Sequence, residues 1–256
     1  MQPPTVTNKQ TEILLLLYRF RFLNRQQIQT LLSHKYHSRI RSWLSKLTDK
    51  GVLARTYSRK LGENTKPAVY FLDNKSRSIL KEQKNINLDL LNRIYREKTR
   101  SPYFRDQSMF LADIFMNLQK AVKETKGKIH LFTKTDLEDH KYLPQPLPNA
   151  YIAWEENNEI RRYFQEMVSP QVPRYALRSR IKDLIEYYFS NEWLENTKHP
   201  FPKILMICPS YVTKGFLSKF IVKELDSEGA NISFYLTTID QIKSRGIKPD
   251  IWQKVE

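Results

Sequence analysis

Cysteine, glycine and long apolar segments are all scarce in this chain of 256 residues. The single cysteine, Cys208, excludes an internal disulfide and a thiol-rich zinc cluster. The six glycines form neither a GxxxxGK[ST] nor a GxGxxG phosphate-binding loop. The nearest approach to a long apolar run, Ile13–Tyr18, is far shorter than the ~18 residues that span a bilayer. Because the N-terminus also lacks the pattern of a secretory signal, we expect a cytoplasmic protein with no membrane partner.

Acidic residues are scarce in the first third of the chain. Residues 1–81 hold 16 Lys and Arg against four Asp and Glu, a net charge of +12. The remaining 175 residues hold 27 against 23, so most of the total of +16 lies in the N-terminal segment. A polyanion that contacts this segment is the expected partner, since the release of its counterions favours such binding.

Three helices are predicted within the first fifty residues. The first runs from Thr7 to about Phe20, with Thr7 or Asn8 as its cap. Asn24 caps the second, with Gln27 at the capping-box position. The third starts around Ser38 and stops at Gly51. Its apolar positions predict a buried face of Ile40, Trp43, Leu44 and Leu47.

Two short strands, "VLARTYSR" and "VYFLD", follow the helices and are separated by the turn-forming segment "KLGENTKPA". Three helices and two strands in this order predict a winged helix-turn-helix domain over residues 1–82. In that architecture the third helix enters the major groove of duplex DNA, while flanking cations hold phosphates. The alternative left open is a winged helix that binds another protein.

Candidate DNA-binding residues are the polar and cationic side chains of these elements. We expect Arg39 and Arg41 to contact guanine and Lys46 to contact phosphate, with Arg59, Lys60 and Lys66 on the wing. The full set is Arg25, Gln26, Lys35, Tyr36, His37, Ser38, Arg39, Arg41, Ser42, Lys46, Arg59, Lys60 and Lys66. His34 and His37 have a metal-compatible spacing but no third ligand nearby, so we expect no metal and no cofactor.

The rest of the chain has a different pattern. Residues 83–105 are predicted to form a linker helix, and residues 106–256 a second domain. Its elements are predicted in the order helix, three strands, helix, strand, helix, strand. The expected overall class is therefore α+β, with a C-terminal α/β sandwich built on a mixed sheet.

Several blocks resemble the replication-relaxation proteins of bacterial plasmids and other mobile elements. They include "TEILLLLYRFRFLNRQQIQTLL", "RIRSWLSKLTDKGVLAR", "PNAYI", "RRYFQEMV", "FPKILMICPS" and "FYLTTIDQI". The resemblance implies a winged helix followed by a domain similar to the PD-(D/E)xK nucleases, which have a restriction-endonuclease-like fold. It also implies a role in plasmid replication or DNA relaxation.

The nuclease chemistry implied by the resemblance is not complete in these residues. Asn149 stands where the first Asp would fall, Glu166 matches the second acid, and Val168 replaces the Lys. A neutral amide is a poor Mg²⁺ ligand and valine cannot orient water, so no catalytic residue is predicted. The charged residues that could replace the missing nuclease groups are Asp136, Glu138 and Lys182, and they are interpreted as surface charges. Cys208 is interpreted as a buried apolar residue, and the pair Tyr187–Tyr188 as helix packing.

We therefore expect a non-enzymatic, sequence-specific double-stranded DNA-binding protein of a plasmid or mobile element. Its C-terminal domain would be a scaffold for homodimerisation or for a replication or relaxation protein. Two alternatives stay open: a transcriptional regulator with a sensing C-terminal domain, and a metal-dependent nuclease with a rearranged site.

Overall fold

A computed structural model of the chain describes residues 4–57, 66–125 and 127–256. It divides into two compact units, Met1–Met116 and Asn117–Glu256. This division differs from the predicted boundaries at residues 82 and 105. The segment 83–105 is not one linker helix but belongs to the first unit, where the Tyr18 hydroxyl accepts a hydrogen bond from the backbone N–H of Asn87 at 2.9 Å.

The first unit contains short helices and strands in an order that agrees with the prediction. They are α1 (Asn8–Phe20), β1 (Leu23–Asn24), α2 (Arg25–Leu31), α3 (His37–Asp49), β2 (Leu53–Thr56), β3 (Val69–Leu72), a 3-10 turn at Asn74–Ser76, α4 (Arg77–Leu80), α5 (Leu88–Asn92) and a second 3-10 helix at Ile94–Thr99. Helix α6 (Pro102–Thr125) then crosses the boundary between the units.

Capping residues define where the first helices begin. Asn24 and Gln27 form the predicted capping box at α2. Thr7, one of the two predicted caps of α1, forms a capping box with Gln10 that was not predicted. Helix α3 ends at Asp49, and Gly51 follows with φ +69°, a backbone conformation that glycine adopts without strain.

A three-stranded antiparallel sheet joins these helices, in the strand order β1-β3-β2 among the described residues. Strand β1 was not predicted, because two residues are too few to show an alternating pattern. Leu23 on β1 lies opposite Tyr70 on β3, and Leu53 on β2 lies opposite Leu72. The core under the sheet consists of fully buried side chains from α1, α2, α3 and the strands, among them Ile13, Leu14, Phe22, Leu23, Ile28, Ile40, Leu44 and Leu47.

The second unit is an α/β sandwich on a mixed sheet. Its elements are β4 (Lys128–Thr133), α7 (Lys134–Leu137), β5 (Ala150–Glu156), β6 (Glu159–Met167), α8 (Arg174–Phe189), α9 (Glu192–Thr197), β7 (Lys203–Cys208), α10 (Tyr211–Glu228), β8 (Phe234–Thr238), α11 (Ile239–Arg245), a 3-10 turn at Pro249–Ile251 and β9 (Gln253–Lys254). Among the helices in the described ranges, none combines the length and the apolar character that a bilayer span requires.

The sheet of the second unit has six strands in the described ranges, in sequence order from β4 to β9. Strands β4, β5 and β6 are antiparallel, β6, β7 and β8 are parallel, and β9 returns antiparallel. The predicted hairpin between β5 and β6 turns at Asn157 and Asn158, both with positive φ. The predicted fold class, α+β with a mixed sheet in the second unit, is confirmed by this topology.

Helices α8 and α10 cover one face of the sheet, because both connect neighbouring parallel strands by crossovers that run in the same direction. The core between helices and sheet includes Phe164 on β6, Ile204 on β7, Leu184 on α8 and Leu217 on α10. Phe164 also packs edge-on against Trp193, with 5.2 Å between ring centroids.

Candidate nucleic-acid interface and nuclease-like site

Helix α3 is strongly two-faced. Ile40, Leu44 and Leu47 are fully buried, whereas Trp43 is only half-buried, since it lies at the edge of the predicted apolar face. The opposite side is exposed and consists of the predicted Ser38, Arg39, Arg41, Ser42 and Lys46, together with Ser45. The cations of this face therefore project into solvent from a rigidly packed helix.

The start of α3 is open to an anion. No side chain caps the helix at Tyr36, and its first turn contains no acidic residue. The first amide groups of a helix carry partial positive charge and bind anions such as phosphate. His37 and Ser38 occupy this turn, and both are exposed.

The turn between α2 and α3 is held together by His34. Its Nδ1 accepts a hydrogen bond from the backbone N–H of Tyr36 at 3.1 Å, and its ring packs edge-on against Trp43 at 5.0 Å. The Lys35 ammonium lies 5.7 Å from the centre of the exposed Tyr36 ring. His34 thus shapes the turn that presents Lys35, Tyr36 and His37 beside the first residues of α3.

The first two residues of α2 are the predicted Arg25, which is half-buried, and Gln26, which is exposed. Gln27 is buried, and its amide donates hydrogen bonds to Met109 O at 2.9 Å and to Asp113 Oδ1 at 2.7 Å. Gln27 thereby ties the start of α2 to α6, which fixes the direction in which Arg25 and Gln26 project.

Two of the three predicted wing residues, Arg59 and Lys60, lie outside the described residues. The third, Lys66, is exposed. The structure adds Arg55 and Tyr57 at the end of β2, both exposed, with the guanidinium 5.6 Å from the ring centre. Sequence reasoning missed this pair, although the alternation of β2 places Arg55 and Tyr57 on the face opposite the core.

The position that corresponds to the first nuclease acid has a structural role. Asn149 precedes β5, and its side-chain oxygen accepts a hydrogen bond from the backbone N–H of Met167 at 2.7 Å. Its own N–H donates to Gln165 O at 2.9 Å. Asn149 thereby fastens the start of β5 to the end of β6.

Glu166 is buried and paired. It shares one face of β6 with Phe164 and Val168, the face that packs on α8, and it is 9% exposed. The Arg180 guanidinium on α8 donates to Glu166 Oε1 in an ion pair. Burial raises the pKa of Glu166 above its ordinary value, while the charges of Arg180 and Lys134 oppose that shift.

Lys134 and Arg180 are the cations near Glu166, and neither was predicted from sequence. Desolvation lowers the pKa of Lys134, with the charge of Glu166 acting against it. Arg180 Nη1 is buried and finds no hydrogen-bond acceptor in the described part of the chain. Residues 174–182 contain four cations, and only the packing of α8 on β6 determines that Arg180 is the one that pairs with Glu166.

The substitute groups considered from sequence differ in their surroundings. Asp136 caps α7, accepting hydrogen bonds from the backbone N–H and the hydroxyl of Thr133 at 2.7 and 3.0 Å. Glu138 is exposed, and Lys182 forms an ion pair with Glu224 at 3.4 Å. In the ranges that the structure describes, no three His, Cys, Asp or Glu side chains are grouped so that they could hold a metal ion.

Two other candidates are packed into the second core. Cys208 is fully buried, and burial raises the pKa of its thiol to about 12, against a smaller opposing effect of the Lys214 charge. Tyr187 is buried and donates its hydroxyl hydrogen bond to Tyr142 O at 2.8 Å. Burial likewise raises the pKa of Tyr187. Neither group has the environment of an activated nucleophile.

Similarity to solved structures is weak. The restriction endonuclease FokI is 13% identical, with 96% of this chain and 47% of that chain covered and a TM-score of 0.32. FokI bound to DNA is 12% identical, with 96% and 48% covered and a TM-score of 0.29. The chain thus spans just under half the length of either structure, and TM-scores of this size do not establish a common fold.

Sequence comparison is more informative. No curated protein sequence matches the chain significantly. The family model described as replication-relaxation matches residues 14–168, which is more than half of the chain. The chain therefore belongs to the replication-relaxation family.

Proposed function

We propose that the first unit is a winged helix that binds a specific duplex DNA site through α3. The observation that carries this proposal is the exposed face of α3, which presents Arg39, Arg41 and Lys46 opposite a fully buried apolar face. A helix of 13 residues fits the major groove, and arginine is the side chain best suited to the edge of guanine.

Neighbouring groups support phosphate contacts on both sides of α3. Lys35 precedes the helix and His37 is its first residue, and Arg25 and Gln26 begin α2. The pair Arg55 and Tyr57 leads into the segment that holds the predicted wing cations Arg59 and Lys60. Because the first unit also holds most of the excess positive charge, a nucleic acid is a better match for this surface than a protein partner.

The family to which the chain belongs indicates the cellular process in which the protein would act. Membership in the replication-relaxation family supports a role in the replication or relaxation of a plasmid or other mobile element. The second unit would then be a scaffold for a dimer or for a replication or relaxation protein. A dimer would present two copies of α3 to two half-sites, which raises specificity above that of one winged helix.

We also propose that the second unit does not cleave DNA. Support comes from the three positions that a PD-(D/E)xK site needs. Asn149 fastens two strands, Glu166 is neutralised by Arg180, and Val168 is buried. In a carboxylate paired in this way, the guanidinium compensates the negative charge that would attract Mg²⁺. Cleavage of plasmid DNA with Mg²⁺ or Mn²⁺ that disappears in Glu166→Ala would refute this proposal.

The duplex-binding proposal is tested by selection of bound sequences from a randomised duplex pool. The wild-type protein should enrich one motif, and R39A/R41A should enrich none or a relaxed one. The control is K9A/K81A, which removes two exposed cations of the same unit, at 55% and 58% exposure, that lie on α1 and directly after α4. If R39A/R41A enriches the wild-type motif with unchanged yield, α3 is not the recognition helix.

A further inference from the structure

Helices α8 and α10 present a second surface with the chemistry of nucleic-acid binding. The α8–α10 face is defined by Arg174, Tyr175 and Arg178 on α8 and by Tyr211, Phe216 and Phe220 on α10. Both helices begin at the same edge of the sheet, because each follows the carboxyl end of one of the parallel neighbours β6 and β7. The two first turns therefore lie on one side of the second unit.

The exposed residues that define this face carry positive charge. Residues 174–182 contain four Lys and Arg and residues 211–223 contain three, of which Arg180 and Lys182 pair with Glu166 and Glu224 and Lys214 is buried. Neither Arg174 nor Arg178 forms an ion pair in the part of the chain that the structure describes. Lys219 and Lys223 are exposed on α10 and extend the positive surface.

The two arginines are held in place by aromatic rings. The Arg174 guanidinium lies 4.8 Å from the centre of the Phe216 ring, and Arg178 lies 5.5 Å from both Phe216 and Phe220. The two phenylalanine rings are stacked, with centroids 6.4 Å apart and planes 12° apart. A guanidinium that packs its face on a ring keeps its N–H groups available at the edge for phosphate oxygens.

Two tyrosines at the same edge are unusually exposed. Tyr175 is 74% exposed and Tyr211 is 63% exposed. Neither ring contacts another aromatic ring or a cation within the described ranges. Exposed rings beside arginines match the way unpaired bases are stacked.

We propose that the α8–α10 face binds single-stranded DNA, with Arg174 and Arg178 on phosphates and Tyr175 and Tyr211 stacked on bases. In a duplex the bases are already stacked on one another, so the tyrosines would find no partner there. A second copy of the chain is a poor occupant, because the same basic face on both copies would repel itself. This site is separate from the duplex site proposed for α3.

Fluorescence anisotropy with a labelled oligothymidylate of about 20 nucleotides tests the proposal on the full chain. R174A/R178A should reduce the slope of log affinity against log salt by about 1.4, or about 0.7 for each lost phosphate contact. Y175A and Y211A should each weaken binding about tenfold, while Y175F and Y211F, which keep the rings, should bind as the wild type does.

The matched control is K128A/R161A, which removes two exposed cations at the opposite end of the sheet. It should change affinity less than twofold. Thermal unfolding of every variant establishes that the fold is intact, which is expected for Y175A because the ring is so exposed. R39A/R41A should lose duplex specificity and keep oligothymidylate binding, so that the failure of one proposal is distinct from failure of the other.

Four outcomes overturn the proposal. The first is that the wild type does not bind oligothymidylate, and the second is that K128A/R161A weakens binding as much as R174A/R178A does. The other two are as follows. The α8–α10 variants lower affinity for duplex as much as for the single strand. Y175A or Y211A dissociates a dimer in light-scattering measurements and leaves oligothymidylate affinity unchanged, which would make the face an interface between copies.

Discussion

Replacing Arg180 with Met isolates the energetics of the buried pair of Glu166 and Arg180. The change leaves Glu166, a residue that is only 9% exposed, without its ion-pair partner. Removing one partner of a buried pair costs about 3–5 kcal/mol when the other charge stays uncompensated. Glu166 can avoid this cost by binding a proton, because burial already raises its pKa.

Protonation of Glu166 sets an upper limit on the stability that R180M loses. Holding a Glu with an ordinary pKa of 4.5 in its neutral form near pH 7 costs roughly 3.4 kcal/mol, at about 1.36 kcal/mol per unit. When the pKa of an acid is raised in the folded state, its contribution to stability is most favourable below the unfolded-state pKa. The stability of the fold then decreases as pH rises above the unfolded-state pKa. We therefore expect R180M to lose about 3 kcal/mol near pH 7 and much less near pH 5.

Urea unfolding followed by tryptophan fluorescence measures this effect. Three tryptophans, Trp154, Trp193 and Trp252, lie in the second unit, so a W43F background reports that unit alone. E166Q leaves the Arg180 charge unpaired and should be destabilising without the same pH dependence. E166Q/R180M removes both charges and should recover most of the loss.

The account of this pair is wrong if the loss in R180M is below about 1 kcal/mol, or is the same near pH 5 and pH 7. It is equally wrong if the double variant is as unstable as the worse single variant. Either result would mean that Glu166 and Arg180 do not compensate each other's burial.

Three further predictions concern other buried or constrained positions. Leu44→Ala should destabilise the first unit by about 2–5 kcal/mol in thermal unfolding, because it opens a cavity under α3, and a loss below about 1 kcal/mol would contradict this packing. Gly51→Ala should cost about 1–2 kcal/mol in the same assay, since φ is +69° and the added Cβ would meet only Lys75 at 3.5 Å; an unchanged melting temperature would argue against that backbone conformation. Cys208, with its pKa raised to about 12, should resist iodoacetamide in the folded protein near pH 8 and react in urea, and rapid labelling without urea would show that the thiol is accessible.

Local signals account for the parts of the fold that could be predicted from sequence. The caps at Thr7 and Asn24 and the stop at Gly51 define helix ends through hydrogen bonds and backbone angles of neighbouring residues. The hairpin at Asn157–Asn158 follows from residues that tolerate positive φ. These features depend on a few consecutive residues, so they can be inferred from a short stretch of sequence.

Features that depend on distant residues could not be predicted. Strand β1 has two residues and exists because it pairs with β3, a distant part of the chain: Leu23 lies opposite Tyr70, 47 positions further along. Arg180 meets Glu166 only because α8 packs on β6. The α8–α10 face likewise requires a crossover to bring Arg174 onto Phe216.

The candidate DNA interface could be predicted from sequence only in part. The cations of α3 follow from helical periodicity, because Ile40, Leu44 and Leu47 define the buried side and leave Arg39 and Arg41 outside. The hydrogen bond of His34 to the Tyr36 N–H and its contact with Trp43 were not predicted, since they depend on side-chain geometry.

The central claim, that α3 recognises a specific duplex sequence, is tested most directly by one ratio of affinities. Binding of the full chain to the selected duplex is compared with binding to a scrambled duplex of equal length, at the same salt concentration. Two arginine–guanine contacts, worth about 1–3 kcal/mol each, predict a ratio of at least about 30 for the wild type and a ratio near one for R39A/R41A. A wild-type ratio near one, or an R39A/R41A ratio equal to that of the wild type, would contradict the claim.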